Sequence, residues 1–227
     1  MPASVGQLPT NNVGPCSSRP LGGGKGSTYV PATMVTWFPD RLSALSFIVV
    51  FVLWAASESL NTFGLRPRRH GPGSRRLDHG SYWIILLVVW GSMIVSLLAR
   101  AVGLGMYHSH LQYLGLGMAV CGIALREWAV LSLGRSFTVA VTVFSGQSLT
   151  RRGPYRWLRH PAYSGSILSL VGFPLSLGTW AGGLLVFVLS LAGYLYRVRI
   201  EERALLEAFG EEYREYMQHT SRFFPGP

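Results

Sequence analysis

The stretch YSGSILSLVGFPLSLGTWAGGLLVFVLSLAGYLYRV, residues 163–198, has no acidic side chain, and its one cation, Arg197, lies at its far end. A helix needs about 20 apolar residues to cross a bilayer core, so this block is too long for a single span. Gly172, Pro174, Gly178, Gly182 and Gly183 offer a break near its middle, because proline lacks a backbone donor and glycine turns freely. The block therefore reads as two helices packed in a tight hairpin.

Three further apolar blocks precede it, at residues 43–60, 81–99 and 112–133. The expected class is an all-α integral membrane protein with five transmembrane helices; four, with one strongly tilted segment, is the alternative count. Composition agrees: 49% of residues are hydrophobic and only 13% charged, about half the usual charged fraction. Of 20 basic residues, all but Lys25 are arginine, clustered between the apolar blocks. A net charge of +10 arranged this way reads as membrane-flanking charge, so no nucleic-acid partner is expected.

The placement of arginine predicts orientation. The connection at 61–80 carries Arg66, Arg68, Arg69, Arg75 and Arg76, and that at 134–162 carries Arg135, Arg151, Arg152, Arg156 and Arg159. The 100–111 connection has only Arg100, and the turn near Gly178 has none. Positive charge collects on the cytoplasmic side. This predicts a multi-pass protein of the plasma or inner membrane, with both Arg-rich loops, the site and the C-terminus cytoplasmic.

Residues 1–40, rich in Gly, Ser, Pro, Thr and Asn, read as a disordered N-terminal tail. Residues 41–227 read as one membrane domain. Within 199–219, Ile200, Leu205, Leu206, Phe209, Tyr213 and Tyr216 recur mostly at three- and four-residue steps between Glu and Arg, which predicts an amphipathic C-terminal helix on the membrane face. Cys16 and Cys121 make neither a disulfide framework nor a metal site. His108, His110 and Gln112 lack a nearby carboxylate or thiol and read as polar loop residues, so no metal is expected.

Three constellations could carry chemistry. In Gly153-Pro-Tyr-Arg-Trp-Leu-Arg-His-Pro-Ala-Tyr-Ser-Gly165, two X-Pro steps hold aromatics, cations and His160 in turns, and Pro161 suits the first turn of the next helix. An interfacial belt and a binding site both fit this run. Arg197-Val-Arg-Ile-Glu-Glu202 places charge at the end of an apolar helix; it is either a solvated helix face or a pair of groups able to hold the ends of a zwitterion. Arg126-Glu127 interrupts the third apolar block, and either a snorkelling or an interior role fits. No dinucleotide fingerprint, phosphate loop, nucleophile elbow or H-E-x-x-H pattern is present.

The Gly153–Gly165 run, followed by Arg197-x-x-x-Glu-Glu202 and by Phe209-Gly-Glu-Glu-Tyr-Arg-Glu-Tyr216, resembles the isoprenylcysteine carboxyl methyltransferase family. Its wider relatives include phospholipid N-methyltransferases and methanethiol S-methyltransferases. The resemblance runs from about residue 75, beginning with the Asp78-His-Gly-Ser81 loop, to about 225. It implies a cofactor, S-adenosyl-L-methionine, held within 134–219. By position it implies cofactor contacts at Gln147, Ser148, Leu149, Thr150, Tyr155, His160, Pro161 and Tyr163. It implies catalytic roles for Arg159, Arg197 and Glu202.

Methyl transfer needs alignment and a dry, aromatic-lined pocket more than it needs an acid or base. A guanidinium can orient a carboxylate acceptor with two parallel hydrogen bonds. Arg197, and less directly Arg159, are therefore expected at the acceptor. Glu202 is expected at the cofactor's amino group or fixing Arg197. The expected acceptor is lipophilic or small, reached from membrane lipid, with carboxyl O-methylation as the leading reaction. Phospholipid N-methylation and small-thiol S-methylation are the alternatives. A sterol-reductase-like NADPH enzyme or a non-catalytic membrane protein ranks behind these.

Overall fold

The structure, a computed structural model, describes residues 37–61, 75–76, 80–107, 110–134, 142–143 and 149–224. Among them are six α-helices: α1 (Arg41–Ser59), α2 (Ser81–Ala101), α3 (Leu111–Leu133), α4 (Pro161–Ser176), α5 (Trp180–Phe209) and α6 (Glu211–His219). The all-helical expectation holds apart from a two-residue antiparallel ladder, Arg75–Arg76 with Thr142–Val143. Four helices are long and apolar enough to cross a membrane: α1, α2 from Trp83, α3 and α5. The protein is therefore a multi-pass integral membrane protein. The 16 residues of α4 fall short of a full apolar span.

The long 163–198 block does break. The turn is Leu177-Gly178-Thr179, where Gly178 has φ 78°. Thr179 caps α5 by accepting from the Gly182 amide at 3.1 Å and donates its own hydroxyl to the Leu104 carbonyl at 2.6 Å. Gly172 and Pro174, offered above as break points, lie inside α4 instead. Gly172 is needed there for close packing.

That packing is the main internal seam. Gly115, Ala119 and Gly122 on α3 face Gly165, Ser169, Gly172 and Ser176 on α4. A Cβ on Gly165 would lie 2.6 Å from the Arg126 amide nitrogen, and one on Gly172 2.5 Å from that of Ala119. Small residues every three or four positions let two backbones touch, which supplies van der Waals contact where lipid gives no hydrophobic drive. On the other side of α4, Phe173 meets Trp54 and Phe51 of α1 nearly edge-on at 5.3 and 5.7 Å.

Contacts along the helices show that successive ones run in opposite directions. Gly193 of α5 packs on Val88 of α2, and Gly182 lies 3.2 Å from Ala99 in the same Cβ test. Asp40, which caps α1 by accepting from the Ser43 amide at 2.7 Å, also accepts from Tyr113 at the start of α3. The ends of α1, α3 and α5 therefore share one face with the starts of α2 and α4.

Two boundaries differ from expectation. Residues 37–40, assigned to the tail, are packed: Phe38 is buried, and the Trp37 carbonyl accepts from Gln112 at 3.1 Å and Arg100 at 3.3 Å. Residues 1–36 lie outside the described residues. The amphipathic segment expected at 199–219 is not one helix. Its first half continues α5 without a break to Phe209, because no Gly or Pro intervenes between Gly193 and Gly210. Gly210, at φ 53°, then turns the chain into α6. A change of side-chain charge alters the surrounding medium, not the backbone.

Candidate functional site

Gly153 starts the site with φ 61°, where a Cβ would collide with the Ser132 hydroxyl, so only glycine fits this turn. A single 3-10 turn, Gly153–Arg156, follows and buries Pro154 and Tyr155. The chain then extends through Leu158 and Arg159 to His160, and Pro161 opens α4.

This extended run is held by residues 216–223. Leu158 and Ser221 form a parallel bridge. The Ser221 amide donates to the Trp157 carbonyl at 3.2 Å. In return, the Arg159 amide donates to Ser221 at 2.8 Å and the His160 amide to Arg222 at 3.1 Å. Tyr216, on α6, donates its hydroxyl to the Tyr155 carbonyl at 2.6 Å. Burial pushes the Tyr216 hydroxyl up to about 12 and holds those of Tyr155 and Tyr213 well above their ordinary range, so all three stay neutral.

The charged groups meet where the start of α4 lies against the later half of α5. Arg197, His160 and Glu202 are 3%, 4% and 5% exposed, which takes Arg197 and Glu202 off the solvated face that Arg199 occupies. Arg159 donates from Nε to Glu202 Oε1 at 3.1 Å, and its Nη1 donates to the Met217 carbonyl at 2.7 Å and to that of Thr220. Arg222 grips Glu202 with a fork, Nε to Oε2 at 3.1 Å and Nη2 to Oε2 at 2.8 Å. His160 Nε2 faces Glu202 Oε1 at 3.4 Å.

A second arm runs beside it. Tyr163 donates to Glu201 Oε2 at 2.7 Å and accepts from Arg197 Nε at 3.3 Å. Arg197 also donates from Nη1 to the Ser81 hydroxyl at the start of α2. The rings of His160 and Tyr163 stack at 5.6 Å, with Tyr194 5.1 Å beyond Tyr163. This gives a short aromatic wall beside two carboxylates and three guanidinium groups.

The fold therefore brings together Arg159, His160, Pro161, Tyr163, Arg197 and Glu202. Tyr155 packs behind them with Ala129 and Ala162. Leu149 and Thr150 are described just ahead of the turn, half-buried, while Gln147 and Ser148 lie outside the described residues. Glu202 takes Arg159 and Arg222 as its partners, whereas Arg197 reaches Tyr163 and, through it, Glu201. Sequence reasoning missed Glu201, Ser81, Tyr194, Arg222 and Phe223 as members. Glu201 stood inside a quoted motif, but nothing in the chain marked Arg222, whose approach depends on the return from α6.

Arg126 and Glu127 do not pair with each other. Arg126 forms an ion pair with Glu58 of α1 and reaches toward the Ala162 carbonyl at 3.5 Å, while Glu127 accepts from Asn61 at 2.8 Å. These contacts tie α1 and α3 to the first turn of α4 on the same face as the site.

Comparison with known proteins places this arrangement. Residues 114–207 match the isoprenylcysteine carboxyl methyltransferase (ICMT) family. A probable protein-S-isoprenylcysteine O-methyltransferase of Oryza sativa subsp. indica is 33% identical over 115 residues, covering 50% of this chain and 60% of the relative. The protein-S-isoprenylcysteine O-methyltransferase B of Arabidopsis thaliana is 28% identical over 171 residues, covering 65% of this chain and 87% of the relative. The chain thus spans about 60% of the length of the rice relative. The solved structure of the eukaryotic intramembrane Ras methyltransferase ICMT superposes with a TM-score of 0.63 at 23% identity, covering 82% of this chain and 67% of that one. That likeness establishes the fold. Residues 114–207 thus resemble the isoprenylcysteine carboxyl methyltransferase family, and the chain shares the membrane fold of its solved eukaryotic member.

Proposed function

We propose that this protein is an integral membrane methyltransferase that uses S-adenosyl-L-methionine and methylates the carboxylate of an isoprenylcysteine-like, lipophilic acceptor. The observation that carries the reading is the buried Arg159–Glu202 and Arg197–Tyr163–Glu201 network at the mouth of a membrane helix bundle. Buried charge at the end of an apolar helix is costly and marks function more often than architecture.

The residues present suit such a cofactor. The stacked rings of His160, Tyr163 and Tyr194 offer π faces to a cation. The carboxylates and guanidinium groups beside them match the ends of an amino acid, and the buried Tyr213 hydroxyl has no hydrogen-bond partner among the described residues. When bound, S-adenosyl-L-methionine supplies a methyl group on a positively charged sulfur. Leu149, Thr150, Tyr155, His160, Pro161 and Tyr163 would hold it, with Gln147 and Ser148 before them. Arg197 orients the acceptor carboxylate, which is ionised at neutral pH and needs no base. Arg159 and Glu202 brace the wall between the two.

Five crossings follow if α4 spans with help from its flanking turns. The alternating direction of α1 to α5 supports this count. The site shares its face with the Arg-rich connections, which supports a cytoplasmic site.

The test is incubation of the purified protein in lipid with labelled S-adenosyl-L-methionine and a prenylated cysteine. A labelled product that releases methanol in base is expected, since a methyl ester is base-labile. A base-stable product would move the reading to N- or S-methylation. Absence of S-adenosylhomocysteine binding, with the fold intact, would sink it.

A further inference from the structure

Residues 220–223, after α6, do more than follow the fold. They pair in parallel with Trp157–His160, the run that carries Arg159 and His160, through backbone bonds of 2.8, 3.1 and 3.2 Å. Phe223 is buried against the His160 ring, with centroids 6.3 Å apart, and its carbonyl accepts from the Ser164 hydroxyl at 2.7 Å. The segment is thereby locked on both sides of Arg222.

From that segment the Arg222 side chain reaches the buried carboxylate of the charged centre. Its fork to Glu202 uses Nε and Nη2, and the side chain stays 47% exposed while that of Glu202 is 6% exposed. The same carboxylate receives Arg159 Nε and faces His160 Nε2. A buried carboxylate with a single partner can swing. One gripped on two sides by guanidinium groups is fixed in place, and it fixes its neighbours in turn.

We infer that Arg222 is a positioning residue of the site. It clamps Glu202 from outside the bundle and so sets the orientation of Arg159 and His160 for the ligand. The inference rests on the methyltransferase reading and adds to it a member supplied by the segment after α6. A purely structural strap would act through backbone pairing and Phe223, and would not depend on the Arg222–Glu202 contact.

The test measures S-adenosylhomocysteine affinity by calorimetry, with thermal unfolding in parallel, on the full chain in lipid. Arg222→Ala is expected to weaken binding by about tenfold, the scale of a lost charge-assisted hydrogen bond. Arg222→Lys, which keeps the charge without the fork, should restore part of it. In a Glu202→Gln background, Arg222→Ala should cost little more, because the two residues act as a unit. Arg214→Ala, which removes an exposed α6 ion pair with Glu211, should bind like the wild type. Should Arg222→Ala fail to fold, Arg222→Lys against wild type decides. Wild-type affinity in that folded Arg222 variant, or an equal loss in the Glu202→Gln background, overturns the inference alone. Absence of binding to the wild type overturns the methyltransferase reading, and this inference with it.

Discussion

The Tyr163 hydroxyl donates to Glu201 at 2.7 Å and so joins the first turn of α4 to the far end of α5. Arg197 donates to the same oxygen at 3.3 Å, which puts the residue assigned to the acceptor in contact with one assigned to the cofactor. The two sides of the proposed reaction therefore share a hydroxyl.

This contact changes what substitution should do. Tyr163→Phe keeps the ring on His160 and removes the shared hydroxyl; S-adenosylhomocysteine affinity is expected to fall about tenfold, as for a lost bond to a charged group. Arg197→Ala should chiefly lower turnover of the acceptor. The double variant should lose less than the two effects combined. Additive losses in kcat/KM would show that the hydroxyl does not couple the two sides.

The Glu58–Arg126 pair, with side chains 19% and 14% exposed, tests the bundle itself. Glu58→Gln leaves a largely buried guanidinium without its counter-charge and is expected to destabilise the protein by about 3 kcal/mol. Replacing both residues by leucine should recover much of that loss, since the desolvation cost of both charges is removed. Unfolding followed by tryptophan fluorescence in lipid checks both; a double variant weaker than Glu58→Gln would contradict the argument.

The α3–α4 seam predicts a contrast between two glycines of one helix. Gly122→Leu drives a side chain into the α4 backbone at Gly165 and Ser169 and should prevent folding or lower Tm sharply. Gly117→Ala meets nothing within 4 Å, so it should be neutral or raise stability by up to about 1 kcal/mol through helix propensity. Equal effects at both positions would rule out backbone contact as the cause.

Alkaline pH should loosen the segment after α5. Burial raises the Tyr216 hydroxyl from its ordinary 10.0 to about 12, so the folded state favours the neutral form. That stability is complete below pH 10 and is lost as pH rises toward 12. Absorbance at the phenolate band should show one fewer late-titrating tyrosine in Tyr216→Phe than in the wild type, since Tyr155 and Tyr213 are raised in both. The Phe variant should also be less stable at neutral pH, because it lacks the bond to the Tyr155 carbonyl.

Much of the fold was legible from local properties. Apolar length placed the helices, and glycines within an overlong block announced a turn, which came at Gly178. The Gly153–Gly165 run and the Arg197–Glu202 run were visible because proline, glycine and buried charge are each rare in such settings. These are properties of single residues and near neighbours, so the chain by itself determined them: a bundle of apolar helices, charged groups gathered at helix ends, and a turn before α4.

What only the tertiary structure decided is pairing. Arg126 could have faced Glu127, lipid headgroups or the interior, and distant Glu58 settles the choice. From sequence, Glu202 serves either the cofactor's amino group or Arg197, five residues away on one helix, yet its partners Arg159 and Arg222 arrive from other segments. Which guanidinium reaches a carboxylate depends on the crossing of helices and the path of loops, set by small-residue contacts such as Gly122 on Gly165. Those contacts arise from shape across sequence distances that periodicity and spacing do not encode.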